Sequence, residues 1–164
     1  GDLPYTQTVD NSTASAESGE PAYLCATINN SVWYRVSVPV AVDLAVTTLN
    51  TSEDTVIHVF NTSFNSIACN DNTGGTASRV VFPVAANTTY YVSVGSKTGG
   101  GAIDTAITLA YDTTADGVVA PTDGVYLLNR LGGGYNRLWD MNRDSQLTAA
   151  DVQIIQQNFG QALP

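Results

Sequence analysis

Residues 31–38 read SVWYRVSV. Val32, Tyr34, Val36 and Val38 fall on one side of an extended chain, and Trp33, Arg35 and Ser37 fall on the other. A repeat of two is the pleat of a β-strand with one face buried, whereas a helix needs apolar residues three and four apart. The same period recurs in VDLAVTTL (42–49), TVIHVF (55–60), SRVVFPV (78–84), TTYYVSVG (88–95) and TAITLAY (105–111), with Gly, Asn, Asp and Pro between them. Weaker strands near Tyr5 to Val9 and Tyr23 to Ile28 bring the total to about eight. Short strands at this regular spacing predict an antiparallel sandwich or barrel and no helix before Tyr111.

The chain has 164 residues, 43% of them hydrophobic, enough for one core of ordinary size and a small appendage. No apolar run reaches the roughly 18 residues of a membrane span. No basic, apolar leader stands at Gly1, so a mature or trimmed chain is expected. Six Lys and Arg face 15 Asp and Glu, a net charge of -9, which leaves no basic footprint for a nucleic acid. Cys25 and Cys69 admit one intramolecular disulfide, with two buried reduced thiols as the alternative. That bridge and a Lys-poor surface rich in Thr, Asn, Ser and Gly point to a secreted protein, extracellular or at the cell surface.

The run SVWYRVSVP, DTVIHVF, ACNDN, SRVVFP and NTTYYVSVGS resembles the bacterial pre-peptidase C-terminal domain over roughly residues 15–111. The resemblance implies a jelly-roll-like antiparallel β-sandwich, an accessory module at the end of a secreted enzyme. A related branch of that family binds collagen and calcium, but no residue here carries collagen binding over.

After Tyr111 the period changes. Val125, Leu128 and Leu131, with Leu127 beside them, follow helical spacing, as do Val152, Ile155 and Phe159. Pro121 suits a first helical turn and Gly132 a stop. Thr148 with Asp151 forms a capping box with Asp in place of Glu, and Gly160 ends the second helix.

Each helix follows an acidic twelve-residue stretch. DTTADGVVAPTD begins at Asp112, and DMNRDSQLTAAD begins 28 residues later at Asp140. Asp112, Thr114, Asp116 and Asp123 occupy positions 1, 3, 5 and 12 of the first; Asp140, Asn142, Asp144 and Asp151 occupy them in the second. The backbone carbonyls of Val118 and Gln146 stand at position 7, which completes the oxygen-ligand spacing of an EF-hand loop. Carboxylates, a neutral oxygen and a carbonyl, without nitrogen or sulfur, suit a hard cation, so two Ca2+ ions are expected and zinc and copper are disfavoured. Gly117 at position 6 permits the sharp turn, whereas Ser145 stands at that position in the second loop, where strain of about 1 kcal/mol is expected. Val119 and Leu147 at position 8 predict loops paired back to back.

Two loops in register, each running into a helix, with Asp at position 12 and LLNRLGG after the first, are similar to a type I-like dockerin over residues 112–160. The resemblance implies a module that folds around two calcium ions and engages a cohesin-like protein. Positions 10 and 11, where dockerins carry partner-selecting residues, are Pro121 and Thr122 in one copy and Ala149 and Ala150 in the other, so one docking face is expected to dominate. The chain is therefore read as a mainly β sandwich domain (1–111) followed by an EF-hand-like two-helix module (112–164).

No other constellation argues for catalysis. His58 is the one histidine, embedded between Val56 and Phe60 without a nucleophile elbow, and reads as structural. Glu53, Asp54, Asn70, Asp71 and Asn72 lie in two turns, where they either form those turns or converge on a further calcium. Trp33 lies opposite the apolar stripe and is either covered by a neighbouring segment or exposed as a sugar-stacking platform. Tyr135 and Trp139 are expected to pack the helical module or its junction. The function expected is non-catalytic docking. The alternative is a carbohydrate- or matrix-binding sandwich with the helices packed internally as a clasp.

Overall fold

The computed structural model describes residues 3–49, 51–73, 75–136 and 138–164. It holds eight strands: β1 (Tyr5–Asp10), β2 (Asn30–Val36), β3 (Val42–Leu49), β4 (Thr55–Phe60), β5 (Ser66–Asn70), β6 (Arg79–Val84), β7 (Tyr90–Ser96) and β8 (Ala102–Leu109). Two helices follow, α1 (Pro121–Leu128) and α2 (Ala149–Gln157). The strands form two antiparallel sheets in the orders β1-β8-β3-β6 and β2-β7-β4-β5. Successive strands mostly cross from one sheet to the other, so the two sheets face each other as a sandwich.

Alternation decides which residues meet between the sheets. Leu44 and Val46 of β3, Ile57 and Val59 of β4, Phe82 of β6, Val92 of β7, and Ile107 and Leu109 of β8 are all buried in one cluster. Burying each such side chain contributes roughly 1.5–3 kcal/mol. Gly95 of β7 lies so close to β2 that a Cβ there would meet the Asn30 carbonyl oxygen at 2.3 Å. Only glycine allows the two strands that approach.

Strand β4 is buried along its whole length. One face meets the opposite sheet, and on the other His58 and Phe60 pack against Tyr23. Residues 23–28, expected as a weak strand, have no strand structure. The Leu24 and Cys25 amides donate to His58 Nε2 at 2.8 and 3.2 Å, and the Cys25–Cys69 disulfide ties the segment to β5. The eighth strand is β5, a five-residue stretch too short to show a clear period.

Helical and strand elements share one hydrophobic cluster, which takes in Val119, Leu127, Val152 and Ile155. Leu127, Val152 and Ile155 are buried, and a Cβ on Gly124 would stand 3.7 Å from Val152. Of the residues at helical spacing around α1, Val125 and Leu128 are 54% and 48% exposed, and Leu127 alone is fully buried. The eight-residue helix ends before Leu131, so its apolar residues serve two surfaces.

Candidate functional site

The acidic loops show one hydrogen-bond scheme twice. Asp112 accepts the Asp116 amide at 3.2 Å and the Gly117 amide at 2.7 Å; Asp140 accepts Asp144 at 3.2 Å and Ser145 at 2.9 Å. Asp116 accepts Val118 N–H at 3.0 Å, and Asp144 accepts Gln146 N–H at 2.8 Å. Asp123 accepts Thr113, Thr114 and Ala120; Asp151 accepts Met141, Asn142 and Thr148, all between 2.7 and 3.3 Å. Every partner is displaced by 28 residues. Backbone dihedrals repeat as well: position 4 has φ of 59° at Ala115 and 62° at Arg143, and position 6 has 88° at Gly117 and 65° at Ser145. Ser145 thus holds the left-handed conformation that glycine adopts without strain.

In the first loop, carboxylate oxygens of Asp112, Asp116 and Asp123 lie within 4.8 Å of one another. Thr114 Oγ1 joins them, 3.3 Å from Asp112 Oδ1 and 3.1 Å from Asp123 Oδ1. Burial pushes the Asp112 carboxyl above its ordinary value, the Gly117 and Asp116 amides oppose that, and the Asp123 charge adds to it. Burial also raises Asp123, but the amides of Ala120 and Thr114 outweigh it and hold the carboxyl low. Crowded carboxylates in a small, oxygen-only pocket fit a divalent hard cation.

The second loop is wired differently at its rim. Asn142 Nδ2 donates to Asp144 Oδ2 at 2.9 Å, and the Tyr135 hydroxyl donates to Asp140 Oδ2 at 2.8 Å. Among the described residues, the close trio of carboxylates forms in the first loop and not in the second.

Loop pairing also departs from expectation. Val119 N–H donates to Gln161 O at 2.7 Å and Val119 O accepts Gly160 N–H at 2.9 Å. With both its backbone groups engaged there, Val119 cannot pair with Leu147. A bridge between Val118 and Ala162 and a bond from Leu163 N–H to Gly117 O extend the contact. The segment after α2 therefore closes on the first loop, a pairing between distant residues that no local motif announces.

Each helix carries its position-12 aspartate as its third residue, where the carboxylate caps the first turn. Asp123 takes the Ala120 amide, and Asp151 takes the Thr148 amide while Thr148 Oγ1 accepts Ala150 N–H at 3.2 Å. Pro121, Thr122, Ala149 and Ala150 are all exposed on these first turns. Farther along, α1 presents Val125 and Leu128 to solvent where α2 presents Gln153 and Gln156.

Elsewhere, Lys97 Nζ lies 3.2 Å from Asp54 and 3.1 Å from Asp71. An ammonium thus stands between two carboxylates considered for a further calcium. Trp33 is half-buried: its indole donates to Glu20 at 3.1 Å and packs 5.6 Å from Phe60. Burial raises the Glu20 carboxyl, yet donors from Ser31, Tyr23 and Trp33 bring it down to about 2. Sequence reasoning missed Phe64, which is 48% exposed at φ 57°, stacked on Tyr91 at 5.1 Å and edge-on to Trp33. These rings border a cleft of about 410 Å³ with Glu17 and Pro21. His58 is fully buried, with its Nε2 lone pair already taken by two amides. Among the described residues no helix is long and apolar enough to cross a membrane.

No family model and no curated protein matches the chain. Among solved structures, the chain is similar to the pre-peptidase C-terminal domain of collagenase from Bacillus anthracis. The sequence identity is 17% and the TM-score 0.46, over 65% of this chain and 90% of that domain.

Proposed function

We propose that this chain is a non-catalytic docking module of a secreted protein. In this reading a pre-peptidase C-terminal-like sandwich (1–111) carries a dockerin-like module (112–164). Asp112, Thr114, Asp116, Asp123 and the Val118 carbonyl hold one Ca2+. Asp140, Asn142, Asp144, Asp151 and the Gln146 carbonyl hold a second. The observation that carries it is the hydrogen-bond scheme repeated at a 28-residue offset, down to the left-handed residues at positions 4 and 6. A chance acidic linker has no reason to repeat its backbone. Bound calcium supplies charge compensation that links metal binding to the folding of the loops and helices.

The exposed helix surfaces then meet a cohesin-like protein. The apolar Val125 and Leu128 of α1 oppose the amides Gln153 and Gln156 of α2, which favours one docking orientation. Calorimetric calcium titration and far-UV circular dichroism test the reading. Two binding events are expected, with loss of the helical signal and of partner capture in chelator. Retention of both signals without calcium contradicts it.

A second reading, a carbohydrate- or matrix-binding sandwich with the helices as an internal clasp, is favoured by the exposed Phe64 beside Tyr91 and Trp33. Retention on insoluble polysaccharide or collagen that disappears in Phe64→Ala supports it; absence of retention removes it.

A further inference from the structure

Two turns frame the aromatic cleft on the outer face of the second sheet. Between β4 and β5, Phe64 N–H donates to Asn61 O at 3.0 Å, while Asn61 Oδ1 accepts the amides of Ser63 and Asn65 at 2.9 and 3.0 Å. That turn holds Phe64 at a φ of 57°, a conformation that is strained for an aromatic residue, and leaves it exposed with its ring stacked on Tyr91. In the other turn Glu20 N–H donates to Glu17 O at 3.2 Å, and Gly19, at φ 110°, permits the reversal. Two carboxyl groups, Glu17 and Glu20, are thereby brought to the same cleft as Trp33, Phe64 and Tyr91.

The charge of this cleft has one sign. Glu20 accepts the Trp33 indole N–H at 3.1 Å, the Ser31 hydroxyl at 2.6 Å and the Tyr23 hydroxyl, all neutral donors. They hold Glu20 as the anion without offsetting its charge, and the Glu17 carboxyl stands beside it. Among the described residues no Lys, Arg or His pairs with either glutamate. Arg35, opposite Tyr91 across the strands, lines another cleft with Tyr5 and Tyr34. An anionic rim over aromatic rings attracts a cation, and the acceptors left over decide which kind. A metal ion or a primary ammonium must replace its water with several oxygen contacts, whereas Glu20 is already committed to three donors. A quaternary ammonium has no N–H to satisfy, and ring faces receive its methyl groups by cation–π attraction. We propose that this cleft binds a free quaternary ammonium ion of the choline type against Trp33, Phe64 and Tyr91, with Glu17 and Glu20 as its counter-charge. A phosphate esterified to the same head is disfavoured, because both carboxylates repel it. The site is independent of the docking reading, and it gives the cleft a charged ligand in place of the neutral sugar of the second reading.

Titrations of the full chain in calcium at constant ionic strength test the proposal, read by calorimetry and by the Trp33 indole N–H resonance. The ligands are choline, its neutral carbon isostere 3,3-dimethylbutanol, phosphocholine and cellobiose. Choline is expected to shift the Trp33 signal and to bind about tenfold more tightly than the isostere or phosphocholine, the margin of a cation–π contact with its counter-charge. Phe64→Ala and Glu17→Gln, both at exposed positions, should each weaken choline binding about three- to tenfold while circular dichroism stays unchanged. No shift of the Trp33 signal in about 0.1 M choline, roughly a hundredfold above a millimolar Kd, overturns the proposal whatever the variants do. Equal affinity for choline and its neutral isostere overturns it as well, since an uncharged apolar cleft would give that result. Binding of cellobiose without choline leaves the second reading standing and removes this one.

Discussion

Replacing His58 with glutamine gives a direct test of how the outer face of the second sheet is held. The imidazole is fully buried against Tyr23, at 5.0 Å between ring centroids, and Phe60, at 5.8 Å. The Cys25–Cys69 bridge lies alongside. The carboxylate facing this pocket, Glu20, reaches it only through the Tyr23 hydroxyl. Nε2 accepts two backbone amides, so the ring is neutral with its proton on Nδ1, an atom with no partner among the described residues. Burial lowers its pKa from 6.5 to about 4. Between those values the unfolded chain binds a proton that the folded chain refuses, so stability is fully present above pH 6.5 and declines as pH falls. The slope approaches about 1.4 kcal/mol per pH unit, and the whole loss is about 3 kcal/mol. Glutamine can place its Oε1 where Nε2 lies and accept both amides without titrating. Urea unfolding at fixed calcium should therefore show wild type losing about 2 kcal/mol more than His58→Gln between pH 6.5 and 5. Acid effects on the loop carboxylates are common to both proteins and cancel in the difference. Parallel stability curves for the two proteins would refute the reasoning.

Three further substitutions probe separate links of the argument. Ser145→Gly relieves a left-handed φ of 65° and should raise stability by about 1 kcal/mol, read as a higher Tm in calcium. Ile155→Ala, at a fully buried site between the helices, should cost about 2–5 kcal/mol by denaturant titration. Val125→Ala, 54% exposed, should change stability by less than about 0.5 kcal/mol while weakening capture of a cohesin-like partner. Changing both Cys25 and Cys69 to serine opens a loop spanning 44 residues. It should cost about 4 kcal/mol of unfolding free energy by the chain-entropy estimate.

The sandwich was legible because period two is a local property. Six runs from SVWYRVSV to TAITLAY lie on β2, β3, β4, β6, β7 and β8, and the weak first strand lies on β1. Where the reading failed, the deciding contact was distant. Tyr23 to Ile28 has strand-like composition, yet His58, more than 30 residues away, takes its amides. Strand β5 is set by pairing with β4 rather than by its own pattern. In the helical tail, turn chemistry read true: Thr148 with Asp151, Gly117, Gly132 and Gly160 all sit at caps or left-handed turns. Which face of α1 turns inward was not legible, because eight residues give two turns and the stripe through Val125 and Leu128 can point either way. The partner of Val119 could not be read from spacing either, since the Gly160–Gln161 segment lies on the far side of both helices in the chain.

That closing segment bears on how the sandwich and the acidic loops depend on each other. Gln161 Oε1 accepts the Asp43 amide at 2.8 Å, and its Nε2 donates to Asp43 Oδ2 at 3.4 Å, so the chain after α2 touches the first loop and strand β3 together. Arg79 makes a second tie, from β6 to the Ala110 carbonyl and the Met141 sulfur in the second loop. Each loop is thus fastened to the sandwich by a separate strand. Release of the ions proposed for the loops would loosen Val119 and Met141, and with them the cover over Ala45 and Thr47. Exposing that small-residue face costs little apolar area, whereas the core around Leu44, Ile57 and Phe82 stays covered by the opposite sheet. If the loops hold the ions proposed for them, chelator is therefore expected to melt the helical tail and leave the sandwich folded, read as loss of the helical circular dichroism signal with the strand signal retained.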